Sequence, residues 1–233
     1  DPSMHSSQNE QDSRVYGKFA LIPIMEPSNQ QEAYDMTRYA FDLSEQMGTP
    51  VLLRITTRLA HSRAGVEPKE AKAENEMRLP EDKRQFVLLP AIAKKRYRLL
   101  LEKQTAFEEA SDNSSFNQYI DGADKSMGIV ACGIGYNYLM EVFGGNCPYP
   151  VVKVSQYPLP RKMITKLAES TEKLLVLEEG YPIVEEALKG YLEKECVLGR
   201  LDGTLPRDGE LNPDHVAKAF GLPSIEGSPV PEI

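Results

Sequence analysis

Ser126-Met127-Gly128-Ile129-Val130-Ala131-Cys132-Gly133-Ile134-Gly135-Tyr136 runs from an apolar stretch of strand length, through a glycine turn, into the start of a helical pattern. That is how a buried strand feeding a helix reads. The same alternation then repeats. It predicts a strand over Met127 to Cys132, a helix over Tyr136 to Phe143, a strand over Val151 to Val154 and a helix over Arg161 to Ser170. A strand over Leu174 to Glu178, a helix over Ile183 to Leu192 and a strand over Cys196 to Leu198 follow. Strands spaced by helices predict an α/β fold built on a doubly wound parallel sheet. A short helix near Pro213 to Phe220 and a tail broken by Pro223, Pro229 and Pro231 come after it.

Upstream, Lys18 to Ile24 carries Phe19, Ala20, Leu21 and Ile22 ahead of Pro23 and reads as a buried strand. Ser28 or Asn29 is placed to cap a helix over Gln30 to Met47, which Gly48 stops, and Val51 to Ile55 reads as the next strand. Together they predict a βαβ unit. Between Ala64 and Lys83, Glu, Lys, Ala and Pro dominate and apolar periodicity is lost, as in a linker. Gln85 to Pro90 reads as extended, and Ala91 to Ala110 as a basic amphipathic helix strapping one part of the chain to another. Glu102, Glu108 and Glu109 interrupt its cationic face, which disfavours a membrane-surface role.

With 233 residues, 41% hydrophobic and 27% charged, the chain can bury a core of one large or two small domains. Its 35 acidic against 27 basic residues give a net charge of −8, a field that repels a phosphate backbone, so nucleic acid is not an expected partner. No apolar run approaches the roughly 20 residues needed to span a bilayer. No secretory signal is seen, and a cytoplasmic location is expected. Cys132, Cys147 and Cys196 are widely spaced and form no Cys-x-x-Cys pair, so they are read as reduced, mostly buried thiols rather than metal ligands.

Three constellations could carry chemistry. Gly133-Ile134-Gly135 stands where a phosphate could meet a helix N-terminus, but Tyr138 replaces the third glycine of the dinucleotide pattern, which favours a plain tight turn. Glu178 and Glu179 end a strand. Adjacent side chains there point to opposite faces, so an ion pair or a helix N-terminal charge is favoured over paired acid–base work. Thr56-Thr57-Arg58 with His61-Ser62-Arg63 follows a strand at the end where ligands gather and would suit a carboxylate or phosphate; a solvated connector with paired arginines is the equal alternative. His5 and His215 are read as structural, and no Ser-His-Asp order or metal-ligand spacing stands out.

The opening Asp1-Pro2-Ser3-Met4-His5-Ser6-Ser7-Gln8-Asn9-Glu10-Gln11-Asp12 has no secondary-structure period but is dense in polar groups, as in a functional loop cut from its strand. A section of a longer protein is expected. This loop, Leu53-Arg54-Ile55-Thr56-Thr57-Arg58 with His61-Ser62-Arg63, Gly133-Ile134-Gly135-Tyr136-Asn137-Tyr138, Tyr157-Pro158-Leu159-Pro160 and Leu175-Val176-Leu177-Glu178-Glu179 together resemble the alpha subunit of indolepyruvate ferredoxin oxidoreductases. The likeness keeps motif order over nearly the whole chain; the combination, not any one motif, is specific.

The resemblance implies a thiamine diphosphate-dependent enzyme that oxidatively decarboxylates aryl-2-oxoacids such as indolepyruvate to acyl-coenzyme A and carbon dioxide, with ferredoxin as electron acceptor. Thiamine diphosphate, magnesium and iron–sulfur clusters are implied for the parent protein, with none held by this section. A beta subunit and ferredoxin are implied partners, and coenzyme A is a further candidate. Residues 1–66 would be the second half of the pyrimidine-binding domain, 67–123 a linker with the strap helix, 124–200 a transketolase C-terminal-like domain and 201–233 an interdomain linker. Ser6, Ser7, Asn9 and Glu10, with Thr57, Arg58 and His61 beside them, are the expected interface or ligand loop, and none is expected to be catalytic. The family's activating glutamate and its diphosphate-and-metal domain are expected outside these residues, so no turnover is expected from them alone. A coenzyme A- or nucleotide-binding module and a noncatalytic assembly domain are the alternatives.

Overall fold

A computed structural model describes residues 1–5, 7–192, 197–200, 202–206 and 209–224. Its main body is a five-stranded sheet in the order β3-β5-β4-β7-β8, with β3 Gln118–Ile120, β4 Gly128–Cys132, β5 Val151–Val154, β7 Leu174–Leu177 and β8 Val197–Leu198. β4, β5, β7 and β8 are parallel, as expected, whereas β3 is an antiparallel edge, so the sheet is mixed. The sequence before Ser126 offers only Gln118-Tyr119-Ile120 for that edge, too short to show a period. Cys196 lies outside the described residues.

β4 and β7 are buried along their whole length and read as unbroken apolar runs, because helices cover both faces. On one face α7 Arg161–Ser170 and α8 Ile183–Leu192 close a core around Val130, Val152, Val176, Leu167 and Leu188. On the other, α6 Ile134–Val142 and α9 Pro213–Ala219 close a second core around Ile129, Leu139, Leu175 and Val216. From β4 the chain winds outward to β5, then returns past β4 to β7. The carboxyl ends of β4 and β7 therefore flank the point where winding reverses, the usual seat of a ligand in an open α/β sheet.

That crevice is covered by a second, three-stranded sheet in the order β2-β1-β6. β1 Ile24–Met25 and β2 Leu52–Leu53 are parallel, joined by α2 Gln30–Met47, as the βαβ pattern predicts. Asn29 accepts from the Glu32 amide at 2.9 Å as the N-cap, and Gly48, at φ +53°, terminates the helix. β6 Gln156–Tyr157, two residues beyond β5, pairs antiparallel with β1 and ties the sheets together. Lys153, the one cation within β5, is buried and pairs with Glu32 of α2, its ammonium 4.9 Å from the Tyr136 ring centre.

Three expectations are corrected. Residues 18–20 belong to a helix, α1 Arg14–Ala20, not to a strand, and Phe19 is 87% exposed. Arg14 and Gly17 are the residues it buries, and Gly17 lies so close to Ile24 that a methyl group there would collide with it. The single helix over Ala91 to Ala110 is two, α4 Pro90–Glu102 and α5 Gln104–Asp112. They part at Lys103, whose ammonium binds the Met47 and Gly48 carbonyls at the end of α2 at 2.7 and 3.1 Å, while Gln104 binds the Leu21 carbonyl. α5 buries Phe107 and Ser111 against the body, whereas α4 buries no residue. Residues 85–87 form a turn and bend, and 88–89 join no strand, so the segment is not a continuous extended run; Leu88 is 90% exposed. The linker at 64–83 has no helix or strand and runs beside α2, where the Lys69 amide donates to the Tyr34 hydroxyl at 2.9 Å and Arg38 to the Glu70 carbonyl at 2.6 Å.

Candidate functional site

The crevice at the ends of β4 and β7 is filled by buried charge. Arg14, 1% exposed, donates to Asp12 at 2.6 Å, to Glu178 at 2.9 Å and to the Glu179 and Tyr181 carbonyls at 3.1 and 2.8 Å. Arg54, at the end of β2, pairs with Glu26, lies 3.5 Å from Asp12 and donates to the Glu179 carbonyl at 2.8 Å. Tyr157 donates its hydroxyl to the other Glu26 oxygen at 2.8 Å. Two guanidiniums thus hold three segments, 12–14, 26 and 178–181, against the sheet edge. Buried ions are tolerated only when paired and hydrogen-bonded in this way.

Glu178 and Glu179 diverge. The Glu178 carboxylate accepts from the Val184 and Glu185 amides at 3.0 and 2.9 Å at the start of α8, as well as from Arg14, so it is both ion-pair partner and helix N-terminal charge. Both Glu179 side-chain oxygens are buried without a hydrogen-bond partner. Burial pushes the Glu179 carboxyl up to about 7, with Arg54 opposing and Glu210 and Glu26 adding to the rise. The Tyr138 hydroxyl on α6 and the Thr56 hydroxyl are likewise buried and unpartnered. Burial, with Glu179 nearby, raises the Tyr138 phenol well above its ordinary value. Glu179 can therefore hold a proton near neutrality beside the Arg14 and Arg54 guanidiniums.

The glycine turn belongs to this cluster. Gly133 adopts φ +49°, and a Cβ there would stand 2.5 Å from Glu26 Cγ; at Gly135 it would stand 2.8 Å from the Leu177 carbonyl oxygen. Both glycines serve close packing, and a carboxylate, not open space, faces the start of α6. A phosphate does not fit there, which agrees with the tight-turn reading.

The expected loop residues are only partly gathered. The Ser7 amide and hydroxyl donate to Asp1 at 3.0 and 3.1 Å, closing the opening loop on itself. Asn9 is exposed and accepts from Gln11, and Glu10 is exposed within the field of Arg200. Thr57 and Arg58 lie on α3 Thr57–His61, a helical turn; His61 is exposed at its end. Ser6 lies outside the described residues. The junction forms instead at Glu210, whose carboxylate binds Arg58 at 2.5 Å and His5 at 3.2 Å, and whose amide donates to Ser3 at 2.8 Å. Arg58 is thus paired, as the connector reading holds.

Sequence reasoning missed Asp12, Arg14, Glu26 and Arg54. The available signal was a lone cation inside Leu52-Leu53-Arg54-Ile55 and a lone carboxylate in Ile24-Met25-Glu26-Pro27, each in a run otherwise marked for burial. Among the described residues, no group of three or more histidine, cysteine or acidic side chains is arranged to hold a metal ion. Nor is any described helix long and apolar enough to cross a membrane.

No family model matches the chain. It is 41% identical over 233 residues to the indolepyruvate oxidoreductase subunit IorA of Archaeoglobus fulgidus, covering 95% of this chain and 37% of that protein. The subunit IorA of Methanothermobacter thermautotrophicus is 39% identical over 238 residues, with 97% and 38% covered. That of Thermococcus kodakarensis is 41% identical over 237 residues, with 95% and 37% covered. The chain therefore spans a little over a third of the length of these relatives. Identity of 39–41% over 95–97% of its residues places the chain, as a section, in the family of indolepyruvate oxidoreductase subunits IorA.

Proposed function

We propose that these residues are the part of an indolepyruvate ferredoxin oxidoreductase alpha subunit that scaffolds its reactive centre without supplying the reacting groups. The parent reaction is the oxidative decarboxylation of aryl-2-oxoacids to acyl-coenzyme A, with electrons passed to ferredoxin. The single observation behind this reading is the identity of about 40% that runs through nearly the whole chain. On it, residues 1–66 are the second half of a pyrimidine-binding domain, 67–123 a linker with its strap, 124–200 a transketolase C-terminal-like domain and 201–233 an interdomain linker. Thiamine diphosphate, magnesium and iron–sulfur clusters belong to other parts of the parent protein. When bound, thiamine diphosphate supplies the carbanion that attacks the 2-oxo carbon. The contribution of this section is rigid placement: Arg14 and Arg54 fix the junction between the two sheets, so groups carried on either side keep their separation.

The test is indolepyruvate- and coenzyme A-dependent reduction of ferredoxin by the whole alpha subunit with its beta subunit, run beside the 233-residue chain. Activity in the former and none in the latter is expected. Tight binding of thiamine diphosphate with magnesium by the chain unaided would overturn the scaffold assignment, and a whole enzyme inert toward every aryl-2-oxoacid would overturn the reaction. Subunit assembly is a second role compatible with the first, favoured by Val15, Tyr16 and Phe19 of α1, which are 47, 65 and 87% exposed. It requires a mass increase in solution on mixing with the beta subunit, and an unchanged mass removes it.

A further inference from the structure

The described residues form a cavity of ligand size, about 410 Å³. It lies on the α7/α8 side of the large sheet. Four helices frame it. α1 contributes Arg14, Gly17 and Lys18, spaced i, i+3 and i+4 and therefore on one helical face, and Leu21 follows just past its end. α5 contributes Phe107, α7 Ile164 and α8 Val184 and Leu188, with the Tyr157 ring on the sheet side. These last five are at most 7% exposed and give the cavity apolar, partly aromatic walls.

The polar groups are few and mostly at the rim. Arg14 is committed to Asp12 and Glu178, and Gln104 to the Leu21 and Leu100 carbonyls. Lys18 is exposed at the mouth, and the lining there carries a second cation, Arg161, against one acidic residue, Glu108. An apolar chamber within the roughly 300–1,000 Å³ of small-molecule sites, with a cationic mouth, matches a ligand that is apolar at one end and anionic at the other. Core packing alone leaves few voids larger than a water molecule.

The geometry points to a binding site for a compact apolar carboxylate, its hydrocarbon or ring between Phe107, Tyr157, Ile164 and Leu188 and its carboxylate at Lys18. The cavity shares Arg14 and Tyr157 with the edge of the charge cluster but takes its ligand on the α7/α8 side, and the assignment does not depend on the proposed reaction.

The probe is 3-phenylpropionate, titrated calorimetrically into the 233-residue chain and into the whole alpha subunit, with 3-phenylpropan-1-ol as the uncharged control. The acid is expected to bind more tightly than the alcohol. Lys18→Gln should weaken the acid about five-fold and leave the alcohol unchanged, a loss of the size expected for one solvent-exposed charge contact. Ala187→Phe, which fills the cavity from α8, should abolish both, and an unchanged circular dichroism spectrum and melting point show that the fold is kept. If that variant does not fold, Lys18→Gln and the acid-to-alcohol ratio decide alone. Equal binding of acid and alcohol, no binding of either, or acid binding that ignores Lys18→Gln overturns the assignment.

Discussion

Arg14 and Glu178, 164 positions apart in the chain, meet at 2.9 Å with both side chains 1% exposed. The contact joins α1 to the end of β7. Because the same guanidinium also holds Asp12 and two carbonyls, removing it takes the nearest cation from two buried carboxylates, leaving Glu178 to its two amides and Asp12 to Arg54 at 3.5 Å. Breaking one side of a buried ion pair costs on the order of 3–5 kcal/mol. Arg14→Met should therefore lower the unfolding free energy by about that much, read from urea titration at pH 7. A loss under 1 kcal/mol would mean that the junction is solvated and the pairing unimportant. Arg14→Lys should recover little, since one ammonium cannot reach Asp12, Glu178 and two carbonyls together.

Gly133→Ala tests the turn. The new methyl group would stand 2.5 Å from Glu26 Cγ on a backbone at φ +49°. Glu26 cannot retreat without loosening Arg54 and Tyr157. The strained backbone contributes about 1–3 kcal/mol and the displaced ion pair adds to it, so a clear drop in melting temperature is expected. A variant as stable as the parent would show that Glu26 is not seated against the turn.

How much of this could be read from residues alone differs sharply between elements. α2, α7 and α8 fall where their patterns place them, because each sets an apolar stripe against a sheet and ends at a recognisable signal such as Asn29 or Gly48. β5 also falls where Val151-Val152-Lys153-Val154 predicts it. α1 was illegible because its inward face is Arg14 and Gly17, neither of which counts as apolar, while Phe19, the residue that suggested a strand, points to solvent. β6 is two residues long and owes its existence to β1, 131 positions earlier. The charge cluster was hidden for the same reason. A lone Arg54 in an apolar run announces that a partner exists, but Asp12, Glu26 and the Glu179 carbonyl become that partner only through tertiary folding.

Lys153 offers a test of how α2 is held to the large sheet. Its ammonium is buried between Glu32 and the face of Tyr136. Lys153→Met keeps the length of the side chain but leaves Glu32 facing an apolar wall. Glu32 is partly exposed and also accepts from the Ser28 amide and hydroxyl at 2.8 and 2.7 Å, so solvent and these donors share the loss. A destabilisation of about 1–3 kcal/mol is expected. Adding Glu32→Gln should return part of it, and strictly additive losses in the double variant would show that the two residues do not interact.

Glu179 makes stability depend on pH in a direction opposite to that of a carboxylate held down by a cation, such as Asp12. Its folded value, about 7, lies above the ordinary glutamate value of 4.5. Between those two values the folded state keeps the proton that the unfolded chain has released, so raising the pH through this window favours unfolding. The contribution is fully present below about pH 4.5, declines as pH rises, and is gone above about pH 7. Its size is on the order of 3 kcal/mol. Asp12 runs the other way: burial raises its value, but the bond and charge of Arg14 outweigh that and hold it below 3.8, so its share is lost only in strong acid. The two windows do not overlap. Glu179→Gln keeps the neutral form at every pH, so the difference in urea midpoint between the variant and the parent should be small at pH 5 and should favour the variant at pH 8. A difference that is the same at both values would place the Glu179 proton elsewhere, because only a group titrating between them can change the comparison.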